Sequence, residues 1–205
     1  MEDILDIYEE PYHPDYPWLC FDEMPVQLIA ETQVPLACQP GRVQRIDYAY
    51  ERQGTANLFG FFQPVVGWRQ VTVTAQRTKV DFAQCMKYLV DELYPQAKKI
   101  RVILDNLNTH TPASLYHAFE PAEARRILRK LDFHYTPKHA SWLNMVEIEF
   151  SVLFEQCLDR RIPDLDTLKT EIAAWQQQRN EDAATVNWQF TNRKARTKFK
   201  RFYPS

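Results

Sequence analysis

The sequence has few of the residues that build several common kinds of site. Only 4 glycines occur among its 205 residues, and they form neither a phosphate-binding glycine loop nor a Gly-x-Ser-x-Gly turn. A His-Glu-x-x-His zinc motif is also missing. The four cysteines are widely spaced, so we predict neither a disulfide scaffold nor a structural zinc site. Cys85 has no histidine near it in sequence, which favours packing over nucleophilic catalysis.

Long apolar runs and a basic leader region are missing as well. No stretch approaches the roughly 18 to 20 apolar residues that a membrane span needs, and Met1 is followed by acidic residues. We therefore expect a cytoplasmic protein with no membrane partner. With 45% apolar and 25% charged residues, the chain is long enough for one well-packed core.

Basic residues are absent from the first 41 positions, which carry nine acidic ones. The remainder of the chain has 25 basic and 18 acidic residues, a net charge of +7. A basic body is compatible with a polyanionic partner such as nucleic acid, although solvated Lys and Arg faces are ordinary in proteins.

The apolar pattern predicts an α/β fold with a mixed five-stranded sheet flanked by helices. Strands are expected at 18–22, 58–63, 68–75, 100–105 and 133–136, and helices at 80–93, 114–130, 145–158 and around 165–175. Residues 1–17 read as a short helix followed by a linker-like, proline-rich segment, residues 18–186 as the folded domain, and residues 187–205 as a basic tail.

Two acidic residues each close an apolar run. Asp22 ends the run from Trp18, and Asp105 ends the run from Ile100. Such sheets bind ligands beyond the C-terminal ends of parallel strands, so the two carboxylates can meet there, joined by Glu147 from the start of a later helix. This convergence requires the two strands to be neighbours. Two like charges at 4 Å repel by about 4 kcal/mol at an effective dielectric near 20, so the three acids either share bound metal or do not meet. Carboxylates favour Mg²⁺ or Mn²⁺, and two such ions suit phosphodiester chemistry.

The sequence around these acids resembles the three catalytic blocks of DDE transposases of the insertion sequence 630 family, in the mariner-like superfamily. The blocks are Phe-Asp22-Glu-Met-Pro, Leu-Asp105-Asn-Leu-Asn-Thr-His110, and Tyr-Thr-Pro-Lys-His139-Ala-Ser-Trp-Leu-Asn144-Met-Val-Glu147. The resemblance continues through Cys157-Leu-Asp-Arg-Arg-Ile-Pro163 to the Arg-Phe-Tyr-Pro-Ser ending.

The resemblance implies a ribonuclease H-like fold and a metal-dependent transposase. Such an enzyme cleaves DNA at element ends and joins the 3′-hydroxyl to target DNA. It further implies that Asp22, Asp105 and Glu147 are the catalytic, metal-binding triad with two Mg²⁺ or Mn²⁺ ions, and that the partners are transposon-end and target DNA. A homodimer, or an assembly with a separately encoded helix-turn-helix subunit, is expected in a bacterial, nucleoid-associated setting.

Each site residue also has a purely structural interpretation. Asp22 and Asp105 could cap the turns after their strands. Glu147 could complete a capping box with Asn144. We prefer Glu147 over Glu149 because Glu147 shares its helical stripe with Phe150, Phe154 and Leu158, whereas Glu149 is expected to face the other way. Glu23 should point away from Asp22 and is treated as structural.

Several further residues are candidates for supporting or DNA-contacting roles. Asn106 and His110 flank Asp105, and Lys138 and His139 lie in the loop before Glu147, where a cation could meet phosphate. The basic tail adds Arg193, Lys194, Arg196 and Lys198. For these residues ordinary structural or solvated roles stay open, and for the run at 125–130 solvation is favoured.

The family's helix-turn-helix region is not found in this sequence, which begins at what resembles the interdomain linker. The leading hypothesis is a separately encoded DDE catalytic domain. The alternatives are a catalytically inactive remnant or regulator that binds DNA or full-length transposase, and a ribonuclease H-like nuclease with another substrate.

Overall fold

A mixed five-stranded sheet forms the centre of the protein in this computed structural model, which describes residues 1–202. The strand order is β3-β2-β1-β4-β5. The β1 strand pairs antiparallel with β2 and parallel with β4, and β5 continues the parallel part beside β4. The strands are β1 (Trp18–Glu31), β2 (Tyr50–Gln63), β3 (Trp68–Thr74), β4 (Ile100–Leu104) and β5 (Leu131–Tyr135). The predicted α/β class and strand number are confirmed.

Helices cover both faces of this sheet. They are α1 (Glu2–Glu9), α2 (Lys79–Tyr88), α3 (Pro112–Ala118), α4 (Pro121–Lys130), α5 (Val146–Leu153), α6 (Leu165–Glu181) and α7 (Asn192–Lys198). Single π-helical turns extend α2 to Leu93 and α5 to Leu158. Among the described residues, no helix has the length and apolar character needed to cross a bilayer.

The central strand β1 is buried on both faces where it begins. Trp18 and Cys20 face a core built with α5 and α6, while Leu19 and Phe21 face a second core built with α2, α3 and α4. Because successive side chains of a strand point to opposite faces, a strand covered on both sides needs a continuous apolar run. The run at 18–21 meets that requirement.

The N-terminal segment forms the predicted short helix, α1, whose apolar side chains are buried. Ile4 and Leu5 of α1 are fully buried, and Ile7 is nearly so. The Tyr8 hydroxyl donates to the Leu143 carbonyl at 2.5 Å. The apolar side chains of α1 therefore pack against the folded body. The domain boundaries themselves remain a prediction, and residues 203–205 of the predicted tail lie outside the described residues.

Several predicted elements have different limits in the structure; β2, for example, begins at Tyr50 rather than at residue 58. The strand expected to end at Asp22 continues to Glu31, because β1 keeps pairing with β2 after its parallel pairing with β4 stops at Cys20–Ile103. The helix expected over 114–130 is two helices, separated by Phe119 and Glu120. Pro121 explains this break, since proline disfavours helical geometry at the residue before it.

Candidate active site

Asp22 lies on β1 at the point where the central strand loses one neighbour. It pairs with Gly60 of β2, two residues beyond the last β1–β4 pair. Asp22 is therefore at the C-terminal edge of the parallel part of the sheet even though β1 itself continues. Asp22 was predicted to end its strand, which is wrong because β1 continues beyond it. The prediction still located the carboxylate at the C-terminal edge of the parallel strands.

Burial and neighbouring charge act on the Asp22 carboxyl. Burial raises the pKa of Asp22 to about 7, and the negative charges of Asp105 and Glu23 add to this effect. The Glu23 amide, which donates to Asp22 Oδ1 at 2.8 Å, and the His110 cation act in the opposite direction. Asp22 and Asp105 are thus near enough to repel each other, which is the situation that a shared cation would relieve.

Asp105 directly follows β4, and one of its oxygens is held firmly. Oδ1 accepts a hydrogen bond from the Leu107 amide at 3.1 Å and lies 2.6 Å from His110 Nδ1. Partial burial raises the pKa of Asp105, but the contacts with His110 and Leu107 outweigh it and hold that pKa below its ordinary value. Asp105 therefore carries a negative charge at neutral pH.

Glu147 lies in the first turn of α5, beside Asp22. The two side chains line one cavity of about 500 Å³ between β1 and α5, together with Met24, Phe150 and Phe154. Gly60 permits this arrangement, because a Cβ at this position would lie 2.7 Å from two ring carbons of Phe150. Because the residue opposite Asp22 is a glycine, α5 can pack directly on the sheet.

The capping-box interpretation of Glu147 is wrong. Met145 occupies the N-cap of α5, and no side chain caps the helix. Asn144 is fully buried and instead donates through Nδ2 to the Phe21 carbonyl at 2.9 Å, with Asp22 Oδ2 at 3.5 Å. Asn144 therefore ties the start of α5 to the strand that carries Asp22, a role that sequence reasoning did not find.

The predicted stripe on α5 is only partly correct. Phe150 and Leu158 are buried, but Phe154 is half-exposed, and Glu149 is more buried than Glu147. Glu149 faces an ionic cluster in which Arg69 Nε and Arg179 Nε each lie 3.0 Å from its Oε1. Glu149 was expected to face away from the core, and the pair of arginines explains why it can be buried.

His110 and Glu23 form a buried group beneath Asp105. His110 Nε2 lies 2.6 Å from Glu23 Oε2, and both side chains are almost fully buried. Burial alone would lower the pKa of His110, but contacts with Asp105 and Glu23 outweigh it and raise that pKa to about 9. Glu23 faces away from Asp22, as expected from strand alternation.

The other supporting candidates occupy three different environments. The Asn106 side chain donates to the Thr136 carbonyl and so joins the ends of β4 and β5. Lys138 and His139 are exposed in the loop before α5, where His139 adopts a left-handed backbone conformation with φ of 62°. The predicted tail residues Arg193, Lys194, Arg196 and Lys198 lie on α7 with exposed side chains, and Arg196 Nε lies 2.7 Å from Glu2 Oε1.

The basic helix α7 is anchored near the loop that leads into α5. Its Ala195 packs in a small core with Leu5 and Leu143. Next to this core, the Trp142 ring stacks on Trp188 with centroids 6.4 Å apart and an angle of 14° between the planes. The fold thus brings the basic side chains of α7 toward the loop of Lys138 and His139, although helix and loop are distant in sequence.

The carboxylates do not form a ready-made metal centre. Among residues 1–202, no three His, Cys, Asp or Glu side chains are grouped closely enough to hold a metal ion. The donor set still suits a hard cation, since carboxylate oxygens are the ligands that Mg²⁺ and Mn²⁺ prefer. Asn144 Oδ1 is buried without a hydrogen-bond partner in the described part of the chain, so an oxygen acceptor near Asp22 is left for a bound group.

A mixed sheet with helices on both faces and acids at the C-terminal edge of its central strands defines a ribonuclease H-like protein. The chain matches the family described as DDE superfamily endonuclease over residues 17–169, and it belongs to that family. No curated protein matches this sequence.

Solved structures of Mos1 share the fold at low sequence identity. The Mos1 mariner paired-end complex with Mn aligns with a TM-score of 0.58 at 12% identity, covering 89% of this chain and 54% of that chain. The pre-cleavage Mos1 transpososome aligns with a TM-score of 0.55 at 11% identity, covering 92% of this chain and 61% of that chain. The protein thus spans little more than half the length of these chains, and the likeness establishes a common fold.

Proposed function

We propose that this protein is the catalytic domain of a DDE transposase of the insertion sequence 630 family, with Asp22, Asp105 and Glu147 as its catalytic carboxylates. One observation carries the proposal: Asp22, whose pKa is raised by burial and by the negative charge of Asp105, shares a cavity with Glu147, which is far from it in sequence. Perturbed carboxylates in a cleft are typical of functional sites.

The reaction would be metal-dependent hydrolysis of a phosphodiester at each element end, in which water breaks the P–O3′ bond and frees a 3′-hydroxyl. This hydroxyl would then attack a phosphorus of the target DNA and displace a 3′-oxygen of the target strand. Two Mg²⁺ or Mn²⁺ ions, when bound, would activate the nucleophile and stabilise the entering and leaving oxygens at phosphorus. The three carboxylates would supply oxygen ligands. Asn144 would hold Asp22 toward the start of α5, and the Leu107 amide and His110 would fix Asp105 Oδ1.

Phosphate contacts are proposed for the exposed cations near the loop that precedes α5. Lys138, His139 and the α7 residues Arg193, Lys194 and Lys198 are the candidates, and such contacts would position the duplex without reading its sequence. Arg196 is a weaker candidate because Glu2 already neutralises it.

Recognition of element ends would involve a second copy or a separate helix-turn-helix subunit. The paired-end and strand-transfer complexes are structures of Mos1, and this chain spans only part of the length of those chains. We propose a homodimer on paired ends, or an assembly with the separate subunit, in a bacterial cytoplasm near the nucleoid.

Nicking of supercoiled DNA tests the proposed activity. The purified protein is expected to nick plasmid in Mn²⁺ and not in EDTA, and Asp105→Ala is expected to abolish nicking. Asp132→Ala, a change at an exposed aspartate of the neighbouring strand β5, is the matched control and should nick like the wild type. Nicking that survives Asp105→Ala would exclude this active site.

A noncatalytic binder is the second candidate, favoured by the observation that no three side chains of the described residues form a metal-sized group. Such a regulator would bind DNA or full-length transposase without cutting. DNA binding by anisotropy together with no calorimetric Mn²⁺ binding would support it. Metal-dependent nicking that disappears in Asp105→Ala would exclude it.

A further inference from the structure

A histidine and a glutamate side chain are buried directly behind Asp105. His110 is fully buried, and its two ring nitrogens lie 2.6 Å from Asp105 Oδ1 and 2.6 Å from Glu23 Oε2. The Glu23 side chain is only 4% exposed. Buried charges are costly unless opposite charges compensate them, and here the two carboxylates lie on either side of the imidazole.

Two phenylalanine rings pack against the His110 imidazole, so its main remaining freedom is rotation about the Cβ–Cγ bond. The Phe82 ring lies 5.0 Å from the ring of His110 and the Phe21 ring lies 5.5 Å from it, both measured between centroids. These apolar neighbours offer no hydrogen bond. Glu23 is therefore the group that determines which ring edge faces Asp105, because rotation by about 180° would exchange nitrogen for carbon at both contacts.

We propose that Glu23 is a positioning residue for Asp105 and acts through His110. With Nε2 held 2.6 Å from Glu23 Oε2 as an ion pair, Nδ1 faces Asp105 Oδ1, which also accepts from the Leu107 amide. With Oδ1 held in this way, Oδ2 is the oxygen presented to a ligand. The inference rests on the proposed function, in which Asp105 binds a divalent cation, since partners behind a metal ligand orient it and tune its affinity.

The chain Glu23–His110–Asp105 also couples the two strands that carry the proposed ligands. Glu23 follows Asp22 on β1, and Asp105 follows β4, beyond the last paired residues Cys20 and Ile103. No backbone pairing fixes the spacing of β1 and β4 at the level of the carboxylates. The buried imidazole supplies a side-chain bridge at that level.

Calorimetric titration with Mn²⁺ tests the positioning role. Glu23→Ala removes the partner of Nε2, and we expect Mn²⁺ to bind about tenfold more weakly, as for other outer partners of metal ligands. Glu23→Gln keeps an acceptor oxygen and should recover most of the affinity. In nicking assays, Glu23→Ala should need a correspondingly higher Mn²⁺ concentration for half-maximal rate.

Leu28→Ala separates positioning from loss of stability. Leu28 is a buried residue further along the same strand, and truncation there should lower the melting temperature without changing Mn²⁺ affinity. Should Glu23→Ala fail to fold, Glu23→Asp replaces it, since a carboxylate one methylene shorter withdraws from Nε2 and is expected to weaken Mn²⁺ binding as well.

The outcomes distinguish this inference from the proposed function. Wild-type Mn²⁺ affinity in a folded Glu23→Ala or Glu23→Asp variant would overturn the positioning role and leave the proposed function intact. Failure of the wild type itself to bind Mn²⁺ would overturn both. Equal weakening in Leu28→Ala would show that affinity follows stability alone and would also overturn the role of Glu23.

Discussion

At the scale of single residues, the proposed active site is organised at the expense of stability. Asp22 is mostly buried, and it is close enough to Asp105 to be affected by its negative charge, so the charged form of Asp22 is disfavoured. Folding therefore favours protonation of Asp22, and the metal-free protein loses stability as the pH rises from the unfolded-state pKa near 3.9 through the folded-state value of about 7.

Replacement of Asp22 by the uncharged Asn should accordingly stabilise the metal-free protein. We expect Asp22→Asn to raise the free energy of unfolding by on the order of 2 kcal/mol at pH 8 and by little at pH 4. Urea denaturation in EDTA at the two pH values measures this, with Asp132→Asn as control. A difference that does not change with pH would contradict the assignment of a raised pKa to Asp22.

At the scale of elements, the position of α5 decides whether Glu147 can join the two aspartates. Gly60→Ala would place a Cβ 2.7 Å from the Phe150 ring and so displace α5. We expect nicking to fall about tenfold or more, because displacements below 1 Å are costly at a reacting centre, and stability to fall by about 1–3 kcal/mol through overpacking.

A second substitution makes this test specific. Phe150→Leu removes the ring edge, so the double variant Gly60→Ala, Phe150→Leu should regain nicking activity relative to Gly60→Ala alone. Plasmid nicking and thermal melting of the two single variants and the double variant give the comparison. Full activity in Gly60→Ala, or no recovery in the double variant, would show that this contact does not set the position of Glu147.

Helix α7 offers a separate test of the proposed DNA contacts. Changing Arg193, Lys194 and Lys198 to Gln should weaken duplex binding at all sequences and reduce the slope of log K against log salt by about 0.9 for each phosphate that is no longer neutralised. Fluorescence anisotropy over a salt series measures this slope. Arg125→Gln with Arg129→Gln, on exposed positions of α4, is the control, and an equal effect there would exclude a specific role for α7.

Local patterns in the sequence predicted the strands and helices that carry the candidate site. They did not predict the side-chain contacts between those elements. Apolar runs closed by acids located Asp22 and Asp105 because burial on both faces of a strand leaves a local signature. The roles of Glu23 and Asn144 depend on partners 87 and 122 residues away, His110 and Asp22. The prediction that Glu149 faces away from the core was wrong for the same reason. Its burial depends on contacts with Arg69 and Arg179, which helical spacing does not reveal.

At the scale of the whole molecule, the two oppositely charged parts of the sequence are folded against each other. Acidic residues of the N-terminal segment pair with basic or histidine side chains of the body: Glu2 with Arg196, Asp3 with His134, Glu10 with Arg101 and Asp15 with Lys98. The near-neutral total charge of -2 thus conceals a basic body, whose exposed side chains Arg193, Lys194 and Lys198 on α7 are the candidates for the proposed phosphate contacts.

A divalent cation that binds only the folded protein should stabilise the entire molecule. At a Mn²⁺ concentration 100 times the dissociation constant, binding adds about 2.7 kcal/mol, and for a chain of this size the melting temperature should rise by about 5–10 °C. Binding requires ionised Asp22, whose pKa is about 7, so the rise should be larger at pH 8 than at pH 6. Thermal melts with Mn²⁺ or EDTA at both pH values measure it. Asp105→Ala should remove the rise, and an equal rise in that variant would place the bound cation elsewhere.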